Sequence, residues 1–161
     1  MSVAFTREED LEATAADLPD RPISPHPNLV TASGLALIEA ALAQAQGAYG
    51  AAQAGGEINT DRTAMARATR DLRYWSARRA TAQLIEPTGA ADEVMFGRRV
   101  TLDREDGRRQ VFRIVGEDEA DPAKGAISYL SPIARGVLGK SVGDVVEVGG
   151  AEVEIVSVES L

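Results

Sequence analysis

The chain has 161 residues, 44% of them hydrophobic but only 4% aromatic, with no cysteine, one histidine and a net charge of −8. The absence of cysteine excludes disulfides, thiolate metal sites and cysteine nucleophiles, and a lone His26 argues against a multi-histidine zinc site or a histidine triad. The acid excess argues against a general affinity for nucleic-acid backbone, which needs a basic surface.

The charge is unevenly spread. Residues 1–30 carry −4, residues 31–87 carry +1 and residues 88–161 carry −5. The middle segment is the only one that is not acidic. It reads either as a basic element facing a site close to nucleic acid or as an ordinary solvated helix face. No run approaches the roughly 20 apolar residues of a membrane span. The acidic N-terminus lacks a signal-peptide core, so the expectation is a cytoplasmic protein with no membrane contact.

Residues 1–30 read as an acidic, proline-containing flexible arm. The patch Glu8-Glu9-Asp10 and four prolines between 19 and 27 leave little for a core. Two readings stand: a solvated leader, or a tether that docks along the body or a partner.

Residues 31–87 read as a helical hairpin. Thr31-Ala32-Ser33-Gly34 offers hydroxyl N-caps. Ile38, Leu42, Ala45, Tyr49 and Ala52 then recur four, three, four and three apart, the period of a coiled-coil seam. Gly47 and Gly50 each weaken this arm by about 1 kcal/mol against alanine, and Gly55-Gly56 ends it. The second arm starts near Asn59 or Thr60, and its seam is Met65, Ala68, Leu72 and Trp75. Two seams of matching period joined by a glycine turn predict an antiparallel hairpin. Its free end carries two carboxylates, Glu57 and Asp61. The second arm holds Arg62, Arg67, Arg70, Arg73, Arg78 and Arg79, mostly as solvated residues with some pairing to acids such as Asp71. Tyr74 and Trp75 read as packing residues at the hairpin base.

Glu86-Pro87-Thr88-Gly89 marks a boundary. Beyond it, residues 94–102, 110–115, 126–130, 145–148 and 152–158 are β-rich. Glu105-Asp106-Gly107 is a hairpin turn. Ser131-Pro132 through Gly139 predicts one short helix, with Ser131 as cap, Pro132 in the first position and Gly139 as the stop. The fold class is therefore α+β, with an N-terminal helical hairpin and then a compact β-rich domain carrying one short helix over residues 88–161.

In this last segment the chain becomes recognisable. Residues 112–121 (Phe-Arg-Ile-Val-Gly-Glu-Asp-Glu-Ala-Asp), then Ile127-Ser128, then Ser131-Pro-Ile-Ala-Arg-Gly-Val-Leu-Gly-Lys140, closely resemble the C-terminal domain of the GreA/GreB transcript-cleavage factors. Gly143-Asp144 and the order of elements, a hairpin followed by an FKBP-like domain, agree. The resemblance implies an accessory transcription elongation factor rather than an enzyme. Its partner would be bacterial RNA polymerase, met at the secondary channel, and nascent RNA 3′ ends would be met only inside that complex. It implies docking roles for Ser131, Pro132 and Ile133 and for Asp118 and Glu119 in the neighbouring acidic loop. It brings no cofactor of its own, only Mg²⁺ shared with the polymerase active site, with the tip acids as ligands.

The tip departs from the family's Gly-Asp-x-x-Glu-Asn. This chain reads Gly56-Glu57-Ile58-Asn59-Thr60-Asp61, so Glu57 stands at the first acid's place and Asp61 is the nearest substitute for the second. Aligned at Thr31-x-x-Gly34 and Gln83-Leu84-Ile85, the hairpin is about fourteen residues shorter than in typical members, which removes roughly 10 Å of reach. Two forms of the function stay open: stimulation of transcript cleavage, and a non-cleaving channel regulator of the Rnk or anti-cleavage kind. A third reading, an FKBP-like prolyl isomerase, is poorly supplied with aromatics, since the C-terminal segment has only Phe96, Phe112 and Tyr129. A finger that enters a pore also predicts a monomer.

Overall fold

The computed structural model describes residues 18–55 and 62–161. They fall into two compact units, one holding residues up to His26 with Leu37–Thr81, the other holding Pro27–Ala36 with Ala82–Leu161.

The hairpin consists of helices α1 (Ala32–Ala54) and α2 (Arg62–Thr81), and from Leu37 onward it makes up the first unit. The periodic residues are the ones taken out of water: Ile38 and Ala45 are buried, and Leu42, Tyr49 and Ala52 are half-buried. On α2, Ala68 is buried and Leu72 and Trp75 are half-buried. Ala41, Gln44, Ala45 and Ala48 line one cleft together with Ala68, Asp71 and Trp75, so the two seams face each other. Glu39 near the start of α1 pairs with Arg79 near the end of α2 at 3.0 Å, as antiparallel helices require. The seam is rich in alanine, so its apolar burial per residue is small, and heptad register matters more than bulk.

The described part of the arm lies along this hairpin, which favours the tether reading for residues 18–26. Asp20 accepts from the Arg73 guanidinium at 3.1 Å. The Arg21 guanidinium lies 3.8 Å from the Tyr74 ring centroid and 3.6 Å from the Asp71 carboxylate. Tyr74 and Trp75 meet edge to face at 4.9 Å, so they pack as expected, with Arg21 as an added layer. Residues 1–17 lie outside the described part.

The second unit is built on a five-stranded sheet. Its strands are β3 (Arg98–Arg104), β4 (Arg109–Val115), β5 (Ala126–Ser128), β6 (Val145–Val148) and β7 (Ala151–Ser160), in the order β5-β4-β3-β7-β6. β4 and β5 are parallel, and the other neighbours are antiparallel. The Glu105-Asp106-Gly107 turn joins β3 to β4 as predicted, with Gly107 at φ +83°. A bulge in the β3–β7 ladder between Thr101 and Leu102 re-registers the pair. Helix α3 (Pro132–Val137) packs on β6, and it does so closely because a Cβ at Gly136 would meet Val148 Cγ2 at 2.7 Å. Val100, Leu102, Ile114 and Ile155 from the sheet and Ala134 and Val137 from α3 are fully buried and form the core. The fold is thus the expected helical hairpin followed by a β-rich half-barrel with one short helix.

Several elements differ from the sequence reading. The strand expected from Val94 begins at Arg98, because Gly97 takes φ +83° and Val94 spends its amide on the Lys140 carbonyl at 2.7 Å. The strand expected to reach Leu130 stops at Ser128, where the chain turns to cap α3. Two short strands were missed entirely: β1 (Leu29–Val30), assigned to the arm, pairs in parallel with β2 (Gln83–Leu84), assigned to the hairpin. Two residues carry no readable periodicity, so only the tertiary pairing reveals them.

Candidate functional site

The parallel pairing of β4 with β5 assembles the expected docking residues. Val115 is in register with Ser128, and the Tyr129 amide donates to the Val115 carbonyl at 2.9 Å. The two segments that follow therefore leave the sheet at the same end. One is the acidic loop from Gly116 to Asp121, and the other is the turn into α3.

In that turn, the Ser131 amide donates to the Ser128 carbonyl at 2.9 Å. Ser131 Oγ then accepts from the Ala134 amide at 3.3 Å, so Ser131 caps the helix. Pro132 occupies the first helical position and is exposed. Ile133 is half-buried and packs against the core. Of the three expected docking side chains, Pro132 is thus the one that faces outward. Behind it, Tyr129 Oη donates to the Pro27 carbonyl at 2.6 Å and its ring meets Phe96 edge to face.

The acidic loop is placed otherwise than an open rim would be. Glu119 turns inward, its side chain only 6% exposed. One carboxylate oxygen accepts from the Thr31 hydroxyl, and the other lies 3.5 Å from an Arg113 guanidinium nitrogen. Thr31 Oγ1 in turn accepts from the Gly34 amide at 3.0 Å, capping α1. Asp118 is half-buried and already engaged within the protein. The loop also needs Gly116, because any Cβ there would overlap the Leu29 carbonyl oxygen. Thr31-x-x-Gly34 was legible as a cap, and a glycine where a capping box would place Glu or Gln was the available hint of a close neighbour. That the neighbour is Glu119 was not legible.

Glu57 and Asp61, the expected tip acids, lie outside the described residues. Among the described residues no group of three or more His, Cys, Asp or Glu side chains is placed to hold a metal ion. Also among them, no helix is long and apolar enough to cross a membrane.

Residues 89–160 match the family model described as transcription elongation factor GreA/GreB, C-terminal. Transcription elongation factor GreA of Desulfovibrio desulfuricans is 41% identical over 97 residues, covering 59% of this chain and 59% of that one. Transcription elongation factor GreB of Neisseria meningitidis serogroup B is 42% identical over 96 residues, covering 56% of this chain and 59% of its own. The chain thus matches about three fifths of the length of these relatives. Among solved structures, GreA factor homolog 1 of Thermus thermophilus aligns over 84% of this chain and 100% of its own, at 20% identity and a TM-score of 0.40, a likeness too weak to bear on function.

Proposed function

We propose, on the match of residues 89–160 to the GreA/GreB C-terminal model, that the chain is an accessory elongation factor for bacterial RNA polymerase. In this reading the C-terminal domain docks at the rim of the secondary channel. The hairpin enters the channel and modulates paused or backtracked complexes. The observation that carries the reading is the family match over the whole docking domain. The common exit of the acidic loop and the Ser131 turn from one end of the sheet supports it, because it gathers the family's docking segments on one surface.

Two forms of that activity are distinguished by the tip. In the cleavage form, Glu57 and Asp61 would lend oxygen ligands to a Mg²⁺ held mainly by the polymerase. A Mg²⁺ bound there supplies charge for phosphodiester hydrolysis and a bound water as nucleophile. In the regulatory form the finger occupies the channel without cleavage. The length of the arms favours the second: helices of 23 and 20 residues are about 34 and 30 Å long at 1.5 Å per residue. A metal ligand must come within about 2.1 Å of Mg²⁺, which leaves little tolerance for a short finger.

The test is capture of core RNA polymerase by the 161-residue chain, followed by transcript cleavage on backtracked complexes. Failure to capture polymerase overturns the proposal. Given capture, cleavage lost in Glu57→Ala or Asp61→Ala identifies the first form, and inhibition without cleavage identifies the second.

A further inference from the structure

A cavity of about 280 Å³ lies at the start of α1, wholly within the sheet-bearing unit. Its walls are the first turn of α1, the segment after β2 and the adjoining ends of β3 and β7. The Ile85 amide donates to the Val30 carbonyl at 3.0 Å, which holds the segment after β2 beside the start of the helix. Arg98 and Ser160 are register partners in the β3–β7 ladder, so their side chains leave the same face of the sheet.

Arg98 is the unusual member of this lining. It shares the core-facing side of β3 with Val100 and Leu102 and is only 7% exposed. Its Nη1 donates to the Ala90 and Glu93 carbonyls. Among the described residues no carboxylate pairs with it, although Glu86 lines the same cavity. Nε and Nη2 have no partner among them either, and neither atom is sealed from solvent. A guanidinium withdrawn from water with only carbonyl dipoles to face is costly, and an anion at its free edge offsets that cost.

Other donors converge on the same space. Thr31 Oγ1 takes the Gly34 amide and the Thr31 carbonyl takes the Leu35 amide. The Ala32 and Ser33 amides are left without an acceptor among the described residues, and both residues line the cavity. The 23-residue helix adds partial positive charge at this end. The Ser33 and Ser160 hydroxyls, also in the lining, are uncommitted among the described residues. Helix-terminal amides, hydroxyls and a guanidinium edge are the donor set that phosphate oxygens take. The volume falls just below the roughly 300–1,000 Å³ of sites for drug-sized ligands, which suits one small group. Glu86, which is exposed, is the one lining side chain whose charge opposes an anion.

We propose that this cavity binds a single phosphate group, with the Arg98 guanidinium edge and the Ala32 and Ser33 amides as donors. The site stands on residues of one unit and does not depend on the polymerase reading.

The test titrates the ¹⁵N-labelled 161-residue chain with sodium phosphate and, separately, with glycerol 3-phosphate, at fixed pH and ionic strength. The expected result is a saturable shift of the Ala32 and Ser33 amides and of the Arg98 Nε–H signal, with none from chloride. Arg98→Lys should weaken binding about tenfold, because an ammonium lacks the two-donor edge. Ser33→Asp is the second variant: an acid suits the first turn of a helix, so the fold should hold while its carboxylate occupies the site and abolishes the shifts. Glu86→Gln should tighten binding. Stronger binding of the ester assigns the site to a phosphorylated ligand, and stronger binding of the free ion assigns it to phosphate itself. No saturable shift with either probe overturns the proposal. So does binding that survives Ser33→Asp unchanged, and so does loss of binding in Glu86→Gln.

Discussion

The Thr31 hydroxyl donates a hydrogen bond to the Glu119 carboxylate across 88 positions of the chain, and the same oxygen caps α1 by accepting from the Gly34 amide. One side chain thus satisfies a helix terminus and a nearly buried carboxylate together. Thr31→Val removes both roles. The cap contributes about 1 kcal/mol and a hydrogen bond to a charged group about 1.5–3 kcal/mol. A loss of about 2.5–4 kcal/mol in urea denaturation is expected, with Thr31→Ser close to wild type. A valine variant as stable as the parent would show that the bond contributes nothing.

Gly34 and Gly47 lie in the same helix and should respond in opposite directions to alanine. A Cβ at Gly34 would stand 2.7 Å from Glu119 Oε1, whereas a Cβ at Gly47 meets nothing within 4 Å. Gly47→Ala should therefore gain about 0.5–1 kcal/mol from helix propensity. Gly34→Ala should lose about 1–3 kcal/mol to the clash. Thermal or urea midpoints read both, and shortening the neighbour with Glu119→Ala should reduce the Gly34→Ala penalty in a double-mutant cycle.

Arg21 joins the arm to the hairpin through the Tyr74 ring and the Asp71 carboxylate. Its removal should be felt locally, because an exposed cation–π contact contributes only about 0.5–1 kcal/mol. Trp75, the only tryptophan, lies 5.4 Å from that guanidinium and reports on it. Arg21→Ala should change Trp75 emission in the native state while moving the unfolding midpoint little. Unchanged emission would argue that the arm does not rest there in solution.

Two carboxyls beside the turn between β3 and β4 are held below their ordinary values. Hydrogen bonding from the Arg109 guanidinium holds the Asp103 carboxyl below its ordinary value. The Arg108 backbone amide, with its guanidinium, does the same for Asp106. Carboxylates depressed by folding stabilise the native state above their ordinary pKa, and that contribution is lost as pH falls through the lower folded value. Stability measured from pH 6 downward should therefore fall below about pH 4. The fall should be shallower in Asp103→Asn with Asp106→Asn. Asp106 is exposed and Asp103 no more than half-buried, so the change should be small, and an identical slope in the double variant would assign the acid response elsewhere.

Pro132 is the exposed member of the Ser131-Pro132-Ile133 segment. A glutamate is acceptable at a first helical position, so Pro132→Glu should fold normally. If the polymerase reading is right, capture of core polymerase should weaken by about tenfold, equivalent to about 1.4 kcal/mol. Ser131→Ala is the structural counterpart: it removes a cap and should cost about 1 kcal/mol of stability. Equal capture by Pro132→Glu and wild type would move the docking surface away from this turn.

Legibility from sequence followed the range of the interaction. The hairpin seams were readable because Ile38, Leu42 and Ala45 repeat with the helix, and the Ser131-Pro132 start and the Gly107 turn were readable from local backbone chemistry. The β1–β2 pair joins residues more than fifty positions apart through two residues each, which leaves no pattern to detect. Glu119 was legible as a docking acid of the loop but not as a carboxylate that turns inward, because its partner Thr31 lies 88 positions away.

Sequence alone determined the hairpin, the five longer strands, the short helix and what family the last half resembles, because capping, periodicity and turn chemistry act over a few residues. Tertiary structure alone decided which way the side chains were used. It turned Glu119 inward and left Pro132 outside, and it laid Arg21 on Tyr74. The parallel register of β4 and β5 brought the acidic loop and the α3 turn to one end of the sheet. Those outcomes depend on contacts between distant segments, whose geometry exists only once the sheet and the hairpin have closed.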